Sequence, residues 1–401
     1  MSKKLAGGIF TGLLLLYFLS LVIYMSAGYE KYQWDFRTHR QAAKIFASGS
    51  NPYDPNVLIP AAGTRLPYTY PPVTLFFYQL FSLPSYKTAF HIFLFLKCIL
   101  LVGLVYFWKR EFLQRETGAL FYLFCLLAFN SATFLDIRAG NINLLEQIML
   151  WLAFYYFLKQ RLLLFCTFTI IAASFKMVPV LFLFLLLLSE DKKKYIYLLG
   201  SGMVFLIYLL LQYAISPHLF VDFVRNALSV VSERGIIVPS TYTLISDVFK
   251  VFAQNTGVHV PQGIPLVIVA ILTAATILLS YRAYILLRRS KLEEKEKLAL
   301  FLICFVYALI HPRFKDYAYM LLLVPTYFMI TNARYIKAFP FILVLSFLSS
   351  PPWTLPGSEM FLSFFWEYYP LMIAYCVWGI YLYEIYNYAN EPIEPSADRE
   401  I

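Results

Sequence analysis

The chain is short of charge and of the motifs that mark soluble enzymes. Only 14% of its 401 residues are Asp, Glu, Lys or Arg, against about 25% in soluble domains. Its five cysteines, Cys98, Cys125, Cys166, Cys304 and Cys376, all sit in apolar runs without CxxC or Cys/His spacing, so neither a disulfide framework nor a zinc site is indicated. No GxxxxGK[ST] loop, HExxH, GxSxG, GxGxxG or DxD pair is present. Nucleotide–metal chemistry and hydrolase elbows therefore lack their usual parts, and neither a metal nor another cofactor is expected.

What the chain has in excess is apolar surface: 60% of residues are hydrophobic and 19% aromatic. Runs approaching the roughly 20 residues that span a bilayer occur at 8–27, 88–108, 117–135, 142–158, 195–215, 265–287, 297–310, 317–331, 336–349 and 369–388. The first follows Lys3-Lys4 and is longer than a signal-peptide core, which reads as a retained span. The net charge of +10 suits loops facing an anionic cytoplasmic leaflet, and nucleic acid is not expected as a partner. This is the pattern of an all-α integral membrane protein whose surroundings are membrane lipids.

The basic clusters assign sides. Lys3-Lys4, 109–115, 159–161, 191–194, 288–297 and 334–337 belong on the cytoplasmic face. That works only if 162–188 crosses twice, in arms of about 14 residues or about 21 Å, short for a core of about 30 Å. The turn at 174–179, with Lys176, should then be sunk below the outer surface. The expectation is a single domain over 1–401 with about twelve crossings in the cell (cytoplasmic) membrane. It has large external loops at 28–70 and 216–263 and a cytoplasmic tail at 389–401, and its chemistry faces the periplasm or cell exterior.

Four polar clusters fall on that outer side. Residues 35–48 predict a surface helix in which Asp35 either caps the start or serves as general base on a sugar hydroxyl, with Arg37, His39 and Arg40 beside it. Asp136, Arg138, Asn141, Asn143, Glu146 and Gln147 join two spans; they form either a helix–helix network or the wall of a site. Lys176 needs an anion, for which a lipid phosphate is available, unless it snorkels to water. His311, Arg313, Lys315 and Asp316 make either a phosphate clamp or an interfacial anchor. Trp34, Tyr53, Tyr68, Tyr70 and Trp353 suit sugar stacking as well as the ordinary aromatic belt.

The string WDFRTHRQAAKIFASGSNPYDP, the later YTYPP, GNINLL, SFKMVPVLFLFLLL and HPRFKDYAYMLLLVP together resemble, in order, the signature segments of the polyprenol-phosphate-mannose-dependent mannosyltransferases, glycosyltransferase family 87. The resemblance runs from about residue 30 to 325. It implies a glycosyltransferase C fold with extracytoplasmic loop helices and inversion of the anomeric centre. The implied donor is a polyprenyl-phosphate sugar, mannose in this family, and the acceptor a lipid or glycan. By the same resemblance Asp35 deprotonates the acceptor, while Lys176, His311, Arg313 and Lys315 hold the donor phosphate without a metal. Arg37, His39, Tyr70, Arg138, Asn141, Asn143 and Asp316 would line the substrate pocket. Asn141 stands where the family commonly has Gln, and Asp316-Tyr317 where many members have His-Tyr.

A transporter or flippase of lipid-linked saccharides would place its ionisable groups near the midplane and often repeat its halves. Here no internal repeat is visible, and the groups gather toward one surface. A ligase using lipid-diphosphate donors would share the basic outer basin and differs only in its donor.

Overall fold

A computed structural model of the chain describes residues 3–63, 67–113, 118–229, 235–258, 260–261, 263–290, 292, 294–333 and 359–390. Arg115, the basic cluster 334–337, the apolar run 336–349, Trp353 and the tail from 391 lie outside the described residues. Every regular element among the described residues is helical. The chain divides into two compact units, Met1–Leu126 with Ser131–Glu233, and Leu127–Asn130 with Arg234–Ile401.

Five helical stretches among the described residues are long and apolar enough to cross a membrane: Gly7–Ala27, Tyr86–Leu113, Ala119–Ala139, Lys194–Ile215 and Gly263–Arg289. Leu13, Leu16 and Ile23 on the first, Phe95 and Val102 on the second and Leu199 and Leu210 on the fourth are exposed. Such surface is stable against hydrocarbon and costly against water. The protein is an integral membrane protein.

The first unit comprises α1 (Lys3–Ala27), α2 (Trp34–Ala47), α3 (Pro55–Ala62), α4 (Val73–Gln79), α5 (Tyr86–Trp108), α6 (Ala119–Ala139, apart from Leu127–Asn130), α7 (Asn143–Leu158), α8 (Leu162–Phe175), a 3-10 helix at Val178–Leu188, α9 (Lys194–Ile215) and α10 (Pro217–Ser229). Local signals explain several boundaries. Asp54 caps α3 by accepting from the Asn56 amide at 2.9 Å, with Pro55 following, and the Ser85 hydroxyl caps α5 through the Thr88 amide. Such side chains satisfy the orphan N–H groups of a first turn. α6 ends at Gly140, whose φ of +70° suits glycine. Within α6, Phe129, Asn130 and Ser131 adopt positive φ, and the Thr133 hydroxyl donates to the Cys125 carbonyl at 2.6 Å.

α8 and the 3-10 helix form the two arms expected over 162–188. They pack against each other, and the Ser189 hydroxyl meets the Gln160 side chain at 3.3 Å. The arms are therefore antiparallel, which puts 159–161 and 189–194 at one end and Lys176 at the other. An antiparallel hairpin is what the charge pattern asks for, and neither arm is among the five helices long enough to cross a membrane.

Between the longer helices, α2, α3, α4 and α10 enclose a core of Ala42, Ile45, Tyr53, Leu58, Tyr68, Leu75 and Phe223. α10 is tied to the loops ahead of α3 and α4 by Asn226, whose Nδ2 donates to the carbonyls of Tyr53 at 2.8 Å and Tyr68 at 3.2 Å. Asn51 Nδ2 donates to the Asp222 carboxylate at 2.7 Å.

In the second unit, α11 (Thr241–Thr256), α12 (Gly263–Arg289), α13 (Lys295–Ile310) and α15 (Glu359–Asn390) pack together, with a 3-10 turn at Asp316–Leu322 running into α14 (Leu323–Asn332). Ser240 and Thr243 form a reciprocal capping box at the head of α11. Tyrosines of α15 stitch the unit: Tyr368 donates to Asp247 at 2.7 Å, Tyr375 bonds Thr241 at 2.8 Å, and Tyr381 donates to the Leu298 carbonyl at 3.0 Å.

Replacing Asn226 with Ala withdraws its donor from two carbonyls in a buried setting, a loss of about 1–3 kcal/mol. Thermal unfolding of the purified protein in detergent should show a lower Tm for Asn226→Ala at unchanged helical content, whereas an unchanged Tm would mean that α10 is not held through this amide.

Candidate active site

α2 is an amphipathic helix that buries Phe36, His39, Arg40, Ala42, Ala43 and Ile45. Asp35 is its second residue, a half-buried first-turn carboxylate rather than the cap; the cap position is Gln33, in the left-handed region at φ +52°. Gln33 is fully buried, and its side-chain amide finds no hydrogen-bond partner among the described residues. Left-handed backbone at a residue other than glycine costs about 1–3 kcal/mol and persists where the surroundings enforce it. Here they do: the Gln33 amide donates to the Arg138 carbonyl at 2.7 Å, joining the head of α2 to the tail of α6. The approach is so close that a Cβ on Gly140 would lie 2.7 Å from Gln33 Cβ and 2.9 Å from Phe36 Cβ.

This junction delivers Asp35 to the α6–α7 connection. Asn141 Nδ2 donates to Asp35 Oδ2 at 2.6 Å and to the Tyr70 hydroxyl at 2.7 Å, while Asn141 Oδ1 accepts the Asn143 amide at 3.0 Å. That last bond fixes which way the amide faces, since only the oxygen can accept from a backbone N–H. Asn143 Oδ1 in turn accepts from Lys176 Nζ at 3.1 Å, and Lys176 pairs with Glu146 at 2.7 Å. Asp35, Tyr70, Asn141, Asn143, Glu146 and Lys176 thus form one hydrogen-bonded chain. Lys176 therefore has an anion within its own unit, Glu146, where the sequence left a lipid phosphate as the available partner.

Arg37 and His39 support α2 from other directions. Arg37 donates to the Tyr86 hydroxyl at 3.3 Å and to the Glu30 carbonyl. His39 is buried with its ring 4.5 Å from that of Tyr70 and 4.7 Å from that of Tyr78. Burial pushes the Tyr68 and Tyr78 phenols up. Arg138 is exposed and lies over the exposed Trp34 ring at 5.6 Å. Of the other aromatic candidates, Tyr53 and Tyr68 are core residues.

Lys97 is the residue that the clusters of polar sequence do not reveal. It is the only Lys, Arg, Asp or Glu in the apolar run 88–108, and an ionisable group inside such a run is itself the signal. Buried in α5, its Nζ pairs with Asp136 Oδ2 at 2.6 Å and donates to the Asp136 carbonyl at 2.6 Å and the Asn141 carbonyl at 2.8 Å. The segment 136–141 is therefore set into the packing beside α5 rather than hanging beyond its end.

In the second unit the His311–Asp316 segment is pinned by backbone. The Pro312 carbonyl accepts from the Ser240 hydroxyl at 2.6 Å, and the Asp316 amide donates to the Ile237 carbonyl at 3.2 Å. His311 Nδ1 accepts the Arg313 amide at 2.9 Å. An imidazole that accepts at Nδ1 carries its proton on Nε2, which makes His311 a donor of fixed tautomer. Lys315 Nζ lies 5.9 Å from the centre of the Tyr317 ring, and the Asp316 carboxylate accepts the Tyr317 amide at 2.7 Å.

Among the described residues no group of His, Cys, Asp and Glu has the arrangement of a metal site. What the first-unit arrangement offers is a carboxylate with one oxygen held by an oriented amide and the other, Oδ1, without a hydrogen bond among the described residues. Such a group can take a proton from a hydroxyl.

The sequence model of glycosyltransferase family 87 matches residues 68–312, more than half of the chain. Tyr70, Arg138, Asn141, Asn143, Lys176 and His311 fall within that stretch, while Asp35, Arg37, His39, Arg313, Lys315 and Asp316 fall outside it. No curated protein matches the chain.

Gly140→Ala should cost about 1–3 kcal/mol through strained backbone alone, and its methyl must also push α2 away from α6. The variant should lose both thermal stability and the activity that depends on Asp35. Gly63→Ala is the control, at φ +61° with no atom within 4 Å of the added methyl; it should lose some stability and keep activity. Equal activity losses in the two variants would contradict a specific role for the junction.

Proposed function

The chain belongs to glycosyltransferase family 87 and is a membrane glycosyltransferase; on that premise we propose that it moves mannose, with inversion, from a polyprenyl-phosphate donor to a lipid or glycan acceptor on the extracytoplasmic face of the cell membrane. The observation that carries the reading is Asp35, held at 2.6 Å by an Asn141 amide whose orientation is fixed. The full count of about twelve crossings and the glycosyltransferase C architecture belong to the same proposal.

The proposed reaction is a single displacement. The acceptor hydroxyl loses its proton to Asp35 as its oxygen attacks the anomeric carbon. The bond from that carbon to the phosphate oxygen breaks on the opposite face, and the polyprenyl phosphate leaves with the electron pair. Positioned general bases contribute roughly 10²–10⁴-fold. Donors and cations directed at the leaving group stabilise the charge that grows there. We assign that task to Lys176, which is partly exposed at the bend of the hairpin. Tyr70, Asn141 and Asn143 hold the base. Arg138 with Trp34 lies at the substrate side in this reading, while Arg37 and His39 brace α2. A monophosphate leaving group held by cations requires no metal.

Purified wild type and Asp35→Asn, incubated with labelled polyprenyl-phosphate mannose and membrane-lipid or glycan acceptors, should differ by about 100-fold or more in transfer at equal folded yield. Comparable turnover by the two proteins would remove Asp35 from the mechanism.

A further inference from the structure

Lys97 lies halfway along α5, a helix long and apolar enough to span the membrane, and is almost wholly buried. A buried ammonium demands a counter-charge, and the Asp136 carboxylate at 2.6 Å supplies it. The pairing goes further than neutralisation requires. Besides its ion pair with the Asp136 carboxylate, Lys97 donates hydrogen bonds to the Asp136 carbonyl and the Asn141 carbonyl. The two carbonyls sit at the two ends of the 136–141 segment, so one cation clamps both ends of the α6–α7 connection.

Asn141 is gripped on two sides. Its carbonyl is held by Lys97 at 2.8 Å, and its side-chain amide reaches Asp35 at 2.6 Å. A second contact path starts from the same face of α5. Phe93, one turn before Lys97 and with its ring 5.8 Å from Nζ, stacks on Phe36 at 4.3 Å with an 11° tilt. Phe36 directly follows Asp35. The face of α5 that carries Phe93 and Lys97 therefore fixes both partners of the Asp35–Asn141 bond.

We infer that Lys97 is a positioning residue for sugar transfer, acting on Asp35 through the backbone of Asn141, with Asp136 as the counter-ion that keeps the ammonium charged in place. This rests on Asp35 being the base. Lys97 does not touch substrate in this role, and no bond to it forms or breaks during the reaction.

The test is a double-mutant cycle on full-length protein in lipid nanodiscs: Lys97→Met, Asn141→Ala and the two combined, with Asp35→Asn alongside. Labelled polyprenyl-phosphate mannose serves as donor, and kcat, donor KM and the pH dependence of kcat are measured. Each single variant should lose at least about tenfold in kcat with little change in donor KM, and the combined variant should fall no further than the worse single one, because coupled residues do not add.

The acid limb of the kcat profile should move to higher pH in Lys97→Met and in Asn141→Ala alike. A carboxylate that loses a donated hydrogen bond is less favoured in its charged form. The other ionisable side chains of this cluster, Asp136, Glu146, Lys176, His39, Tyr70 and Tyr78, are unaltered in both variants. If Lys97→Met does not accumulate as folded protein, Asp136→Asn takes its place in the cycle. It keeps the Lys97 side chain and both carbonyl acceptors while removing the counter-charge, and should give a loss that is likewise non-multiplicative with Asn141→Ala.

Losses that multiply, or an acid limb that stays in place while kcat falls, would overturn the positioning role and leave the function intact. Full transfer by Asp35→Asn would overturn both.

Discussion

The bond between Asn141 and Asp35 is the constraint on which the rest of the site depends. A short side-chain amide has two donors and one acceptor, and here each has its partner: Asp35, Tyr70 and the Asn143 backbone. Rotating the amide would face its oxygen toward the carboxylate and break the bonds to Asp35 and to the Asn143 amide. The acid therefore points where the α6–α7 connection sends it, and that connection is held by Lys97 from α5 and pressed onto α2 at Gly140. Four segments distant in sequence, 33–36, 70, 93–97 and 136–143, agree on one carboxylate.

Charge inside the first unit is organised by pairing. A cation buried alone is far costlier than a matched ion pair, and removing one partner of such a pair typically costs about 3–5 kcal/mol. Lys97 with Asp136 and Lys176 with Glu146 obey that rule. The pairs differ in exposure. Side-chain exposure is 3% and 0% in the first pair, and 24% and 7% in the second. The enclosed pair suits a fixed scaffold, and the more open one suits a cation that meets a substrate anion.

Much of the scaffold was legible from the sequence, because a bilayer imposes simple demands. Apolar length gave the long helices, and the Lys/Arg clusters required the 162–188 hairpin that Gln160 and Ser189 close. Asp35 was legible as a first-turn anion. Less legible were relations that depend on tertiary approach. Gln33 occupies a left-handed cap position because α6 ends against it, which no local propensity indicates. Glu146 as the partner of Lys176 joins residues thirty positions apart that only the packing of α7 on α8 brings together. Lys97 was visible as a single charge in an apolar run, but its meaning depends on where two carbonyls fall. Tyr53 and Tyr68 had the composition of sugar platforms and became core, since aromatic side chains serve either purpose.

The central claim, that this oriented carboxylate is the base of a sugar transfer, is met most directly by an experimental structure with a non-hydrolysable polyprenyl-phosphate mannose analogue and a lipid acceptor bound. The account predicts the reacting acceptor hydroxyl within about 3 Å of Asp35 and the anomeric carbon beyond it, with the phosphate on the far side. A sugar bound elsewhere, with Asp35 still facing only protein, would contradict it.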